Sequence, residues 1–336
     1  MVKRYKTQAG SVNSGNLSTG GVIMSSDSTL YISKCKEYIS FMFSQQQWSG
    51  LTQAELSQWM QNFRALSLHE MEKVYKLLVH IIYFSEKDLE CVLREGVYNC
   101  VAYKAVLEKQ LNSNFETSSR ALTTTYEDEL KKTCFVPLLD SHSPHESGNF
   151  ISRLLVQQRV IDQTQSMFIE DAAEAIRYGA FSRLVIVDDC VGSGQQLETF
   201  WTCQPIMDGG SPISISTFCK KYNVSANYIT LFGYNQNISK LKSDFADLNI
   251  FCVRCLSDEH RVFTDNSYVW DDEAELTEAL DLFSDLCRNA GIPLRGYCDL
   301  DFAFIMHNTI PDWTLPMFWK RNTDWNLLMR RKNSDD

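Results

Sequence analysis

The chain has no run of about 18 apolar residues, so a membrane-spanning helix is excluded on length. The basic opening segment MVKRYKTQAGSVNSG has no apolar stretch behind it, and no secretory signal is expected. Positive charge is in deficit: Lys plus Arg is 32 against 42 Asp plus Glu, a formal net charge of −10. A whole-chain grip on DNA or RNA needs the opposite field, so direct nucleic-acid binding by the whole chain is not expected. Clustered cysteines are also missing. The 11 cysteines are odd in number and scatter from Cys35 to Cys298, which reads as reduced, mostly buried thiols of a cytoplasmic protein. No fixed-period repeat is present. Core material is plentiful, with 44% apolar and 12% aromatic residues, which argues against overall disorder. The 336-residue length allows one large domain or two ordinary ones.

Composition and periodicity divide the chain in three. Residues 1–28 are rich in Ser, Gly, Thr and Asn and read as a flexible arm. Residues 29–130 read as a helical N-terminal region. Thr52 with Glu55 and Ser67 with Glu70 are capping boxes, and Ser85 with Asp88 is a weaker one. The run after Ser67 continues through Leu77, Leu78, Ile81 and Ile82 at helical spacing. Residues 131–336 alternate. Strands are expected at 134–139, 183–189, 228–234, 250–255 and 302–306. Helices are expected from Phe150, at 169–178, from Gln195, at 238–248 and at 272–290. This order predicts an α/β fold with a doubly wound, mainly parallel sheet and a helical N-terminal cap.

The most informative stretch is Leu184-Val185-Ile186-Val187-Asp188-Asp189-Cys190-Val191-Gly192-Ser193-Gly194-Gln195-Gln196-Leu197. It reads as a buried strand, paired acids, a glycine-bearing turn and a helix start. In a parallel sheet the acids fall at the carboxyl edge, where ligands bind. The turn aims backbone N–H groups and a helix N-terminus at one point, which suits a phosphate. Adjacent carboxylates do not suit that phosphate, but they suit the two hydroxyls of an attached ribose. Their charge would also stabilise positive charge at the anomeric carbon. A Walker A loop is excluded by the missing Lys. A dinucleotide fingerprint fits less well, because a small residue belongs at Leu197 and the preceding acids would be out of place. The plainer possibility is that the acids cap a helix or solvate a turn.

This stretch resembles the phosphoribosyl-pyrophosphate motif of the type I phosphoribosyltransferases. Leu184 to Val187 match its apolar residues, Asp188 and Asp189 its acids, and Ser193-Gly194 its Ser-Gly element. Gln196 departs from its closing Thr or Ser. The resemblance implies a sheet of type I phosphoribosyltransferase type. It implies ribose binding and anomeric-carbon chemistry at Asp188 and Asp189. Phosphate binding falls to Cys190, Val191, Gly192, Ser193, Gly194, Gln195 and Gln196. It further implies Mg²⁺ bridging pyrophosphate and ribose hydroxyls, with a possible contact from the two aspartates. The loop after residues 135–139 matches the family's pyrophosphate loop in order, with Ser141, His142, Ser143, His145, Ser147 and Gly148 as candidate phosphate contacts. Glu146 and the lack of Lys or Arg there are departures. His142 and His145 equally suit solvated loop positions.

The tail adds a second resemblance. Asn308, Thr309, Pro311, Leu315, Pro316, Trp319, Trp325 and Arg330 are similar in pattern to the C-terminus of phosphoribosyltransferase-like effectors. Those effectors belong to bacterial conflict and antiphage systems, some of them retrons. This implies a toxic effector acting on a phosphoribosyl or nucleotide ligand. It also implies a protein partner in a defence complex, with a reverse transcriptase and its nucleic acid as one candidate. The alternative is a catalytically inactive nucleotide sensor or partner-binding module. By themselves, Trp313, Phe318, Trp319 and Trp325 suit core or interface anchors, or base stacking. Cys252 and Cys255 have CxxC spacing, but strand residues three apart face opposite sides, so no zinc is expected.

Overall fold

The computed structural model describes residues 20–139 and 147–331. The three capping boxes form. Thr52, Ser67 and Ser85 each accept the backbone N–H three residues on, and Glu55, Glu70 and Asp88 reach back to the cap's own N–H. Helices Gln53–Met60, Leu68–Val79 and Glu86–Val97 follow from them. A side-chain cap of this kind contributes about 1 kcal/mol.

Among the described residues there are eight strands: β1 (Ile82–Phe84), β2 (Thr133–Pro137), β3 (Arg183–Val191), β4 (Pro205–Asp208), β5 (Ser211–Ser214), β6 (Ser225–Tyr234), β7 (Asn249–Leu256) and β8 (Phe304–Met306). The central sheet has the order β2-β3-β6-β7 and every pairing is parallel. Side-chain alternation buries both faces. Leu184 and Ile186 join Cys134, Val136 and Tyr228 under helices Ile169–Arg177, Gln195–Cys203 and Ile215–Lys221. Val185 and Val187 join Phe135, Ile229 and Leu231 under helices Glu86–Val97 and Ser147–Gln157. The strands follow chain order across the sheet, so the last helix of each crossover lies on the first face. Helix Glu86–Val97 and the C-terminal residues Phe302, Phe304 and Trp313 help close the second. The fold is therefore α/β, a parallel sheet with helices on both faces.

The two ends of the chain share a third core. Trp59, Phe63, Leu77 and Leu78 of the helical region pack with Phe283, Ile305, Phe318 and Trp325. The indole N–H groups of Trp59 and Trp325 both donate to the Met317 carbonyl, at 2.9 and 2.8 Å. Phe318 and Trp325 of the tail are core anchors, and the polar edge of Trp325 is satisfied.

Three local expectations change. Ile82 was expected to continue a helix, yet that helix ends at Val79 and Ile82 opens β1, which pairs in parallel with β8. A partner so distant in sequence overrides the local helical period. Helix Gly20–Ser44 begins inside the segment read as a flexible arm, and residues 1–19 lie outside the described residues. The helix is held because Ser28, Ile32, Cys35 and Ile39 present one buried stripe, with the Ser28 hydroxyl donating to Glu72 at 2.5 Å. The hairpin β4–β5 was not foreseen. Its turn, Gly209-Gly210, has φ of 58° and 88°, the left-handed pair that a tight hairpin requires. No described helix is long and apolar enough to cross a membrane.

Candidate functional site

The β3 strand delivers Asp188 and Asp189 to the carboxyl edge of the sheet, and the backbone changes there. The β3–β6 ladder pairs Asp188 with Thr230 and Cys190 with Phe232 but leaves out Asp189. The β6–β7 ladder leaves out Val253 in the same way. Side chains along this row turn back onto backbone. Asp188 Oδ1 accepts the Asp189 N–H at 2.9 Å, and Asp189 Oδ1 accepts the Cys190 N–H at 2.8 Å. Thr230 Oγ1 donates to the Phe232 carbonyl at 2.9 Å, and Cys252 Sγ to the Arg254 carbonyl at 3.3 Å. Both carboxylates are thereby fixed at the mouth of the sheet by local bonds.

Both acids are deeply placed, 2% and 6% exposed. The Tyr228 hydroxyl donates to Asp188 Oδ2 at 3.0 Å. Burial pushes the Asp188 carboxyl well above the usual carboxylate range, and the neighbouring Asp189 charge pushes it further. Burial, then the Asp188 charge, likewise raises the Tyr228 phenol. The Cys190 thiol is pushed far up by burial and by Asp189, Asp188 and Asp312, which makes it a poor nucleophile.

The turn is set by its glycines. Gly194 has φ 83°, and a Cβ there would lie 2.6 Å from Leu241 Cδ2, so both conformation and space demand glycine. A Cβ on Gly192 would lie 2.7 Å from the Trp313 ring. The Asn237 side-chain amide donates a hydrogen bond to the Gly192 carbonyl at 2.6 Å. Ser193 Oγ accepts the Gln195 N–H at 3.3 Å. Helix Gln195–Cys203 then starts with its N-terminus at the turn.

Aspartates and turn together line a cavity of about 440 Å³. Asp188, Asp189, Cys190, Val191, Gly192, Ser193, Gly194, Gln195 and Gln196 all contribute. The tail supplies the opposite wall. Thr309, Ile310, Pro311, Asp312, Trp313 and Arg331 line the cavity, and Tyr297 closes it by donating to Gln195 Oε1 at 3.3 Å. Among the described lining residues Arg331 is the one cation, 3.4 Å from Asp312 and stacked over Trp319. The neighbouring Arg330, singled out in the sequence, is exposed. Trp313 is 2% exposed and stacks on Phe304 with centroids 5.2 Å apart. Its Nε1 is buried without a hydrogen-bond partner.

Sequence reasoning did not find Tyr228, Asn237, Tyr297, Asp312 or Arg331. None of them has a motif, since they come from four other segments. Of the expected second phosphate loop, Ser141, His142, Ser143 and His145 lie outside the described residues. Ser147 opens helix Ser147–Gln157, and Gly148 packs so close to Leu138 that a Cβ would lie 2.3 Å from its carbonyl oxygen. Leu138 itself lines the cavity, so that helix starts beside it.

The CxxC argument from strand geometry needs correction. Burial, and then the neighbouring Cys255 with a hydrogen bond to it, raises the Cys252 thiol, so the two side chains meet. Among the described residues no group of three or more His, Cys, Asp or Glu gathers closely enough to hold a metal ion by itself.

A protein-family model described as PRTase-CE matches residues 56–331, covering sheet, site and tail. No curated protein and no solved structure matches the chain.

Proposed function

We propose, on the premise that the chain belongs to the PRTase-CE family, that its cavity binds a phosphorylated ribose compound and acts at the anomeric carbon. The observation that carries this is the convergence of Asp188 and Asp189 with the Gly192–Gln195 turn on one cavity. The turn and the helix N-terminus behind it would take the 5′-phosphate. The acids would accept the ribose hydroxyls. At the reacting centre the bond from the anomeric carbon to pyrophosphate or base breaks, and its electron pair departs with that group. Water or an acceptor then adds to the carbon and loses a proton. Carboxylates held rigidly at the strand end would stabilise the positive charge that develops there.

The donor set suits Mg²⁺. Asp188 and Asp189 are hard oxygen donors on one cavity, and the mutual repulsion of their carboxylates is what a cation would relieve. Asp188 and Asp189 would hold the ion jointly with ligand oxygens, as Mg²⁺ sites with few protein ligands do. When bound, Mg²⁺ would neutralise pyrophosphate charge. A cytoplasmic defence effector with a protein partner is proposed from the tail pattern of Asn308, Thr309, Pro311, Leu315, Pro316 and Trp319.

A second reading, a nucleotide sensor without turnover, is favoured by Gln196 where a hydroxyl would serve the phosphate. Calorimetry with phosphoribosyl pyrophosphate, nucleoside triphosphates and a dinucleotide, with and without Mg²⁺, tests binding. Product analysis over hours separates enzyme from sensor. The Asp189→Asn variant is expected to lower turnover by about a hundredfold or more. Failure of every phosphorylated ribose compound to bind, or full activity in that variant, would remove the proposal.

A further inference from the structure

Helix Gly20–Ser44 precedes the family match, which begins at residue 56. It is apolar on two opposite sides. Ile32, Cys35 and Ile39 face the body of the chain and are buried. Leu30 and Phe41 face away and are 57% and 56% exposed. At about 100° per residue, Leu30, Lys34, Glu37 and Phe41 fall in one narrow sector opposite the buried stripe, with exposed Tyr38 at its margin. A surface helix needs only one apolar side, so the second asks for a partner.

The outer stripe carries its own instruction about that partner. Read from either end it runs apolar, charged, oppositely charged, apolar, and the spacings between the four residues are the same in both directions. A second copy laid antiparallel across a two-fold axis sets Leu30 against the partner's Phe41 and Lys34 against the partner's Glu37. Symmetry makes each contact twice. A parallel copy would instead set Lys34 on Lys34 and Glu37 on Glu37, which repel. We infer that the outer face of helix Gly20–Ser44 is an isologous homodimer contact, formed with a second copy of this chain. One helix face makes a small interface, so the dimer is weak and depends on concentration.

Sedimentation equilibrium of the full chain over a concentration series tests this. The wild type is expected to pass from monomer to dimer. Lys34→Glu places like charges together on both sides of the axis and should raise the dissociation constant about tenfold. The double reversal Lys34→Glu with Glu37→Lys should restore wild-type association, because the pairing is rebuilt with its signs exchanged. Both positions are exposed, so circular dichroism should be unchanged. A chain that stays monomeric throughout, its helix face covered by residues 1–19 or by a different protein, overturns the inference. So does a dimer indifferent to Lys34→Glu, or one that the double reversal fails to restore.

Discussion

Asp188 and Asp301 are both buried acids, 2% and 0% exposed, and they are held in opposite ways. Asp301 accepts Arg261 Nε at 2.6 Å and the Phe263 N–H at 2.8 Å, with Arg295 Nε at 3.7 Å. Its charge is closed by guanidinium groups and ties the 261–263 segment to the chain entering β8. Asp188 lies against a second carboxylate, and burial pushes its proton affinity up. A fold that needed only stability would have surrounded Asp188 as it surrounds Asp301. The contrast separates a carboxylate tied to guanidinium groups from one whose neighbours include a tyrosine hydroxyl and a second acid, which the proposed function would use for a ligand.

Breaking the structural side should have the largest effect. Asp301→Ala strands the Arg261 guanidinium, which is mostly covered, and should destabilise the chain by about 3–5 kcal/mol. Urea unfolding measures it, and a loss below about 1 kcal/mol would erase the contrast.

Asp188→Asn sharpens the other side. It removes a buried titratable carboxyl, so stability relative to the wild type should rise as pH increases, while ligand binding falls. The sign follows from linkage. The native carboxyl holds its proton to a higher pH than the unfolded one, so the folded state binds more protons above about pH 3.9. The Asp188 contribution to stability is therefore fully present below that pH and is lost as pH rises through the native value. Wild-type unfolding midpoints should fall with pH relative to Asp188→Asn, and parallel profiles would contradict this. The smallest effect is expected at the exposed pair Glu90–Arg94, 3.1 Å apart on one helix. Glu90→Ala should change stability by no more than about 0.5 kcal/mol, read from the same unfolding curves.

The legible parts were those in which neighbours in sequence decide the outcome. Thr52, Ser67 and Ser85 bond three residues ahead, and the apolar run Leu184–Val187 ends directly in its acids. The lower wall of the cavity, from Asp188 to Gln196, was readable for the same reason. The upper wall was not. Asp312 and Trp313 reach it through long-range contacts, the Tyr297 N–H on the Asp312 carbonyl and Trp313 stacked on Phe304, and Tyr228 reaches Asp188 through strand register. By strand period the cysteines at 252 and 255 point apart, yet Cys255 lies close enough to Cys252 to raise its thiol, a proximity that the period alone does not give.

The amino-acid order alone settled the helix starts after Thr52, Ser67 and Ser85, the strand and helix alternation around the central sheet, and the acidic strand end with its glycine turn. Each depends on torsional preference and on hydrogen bonds spanning a few residues. Tertiary packing decided which distant segments close the cavity and brought Arg261 onto the buried Asp301. Burial and charge proximity belong to the folded chain, and no local stretch contains them.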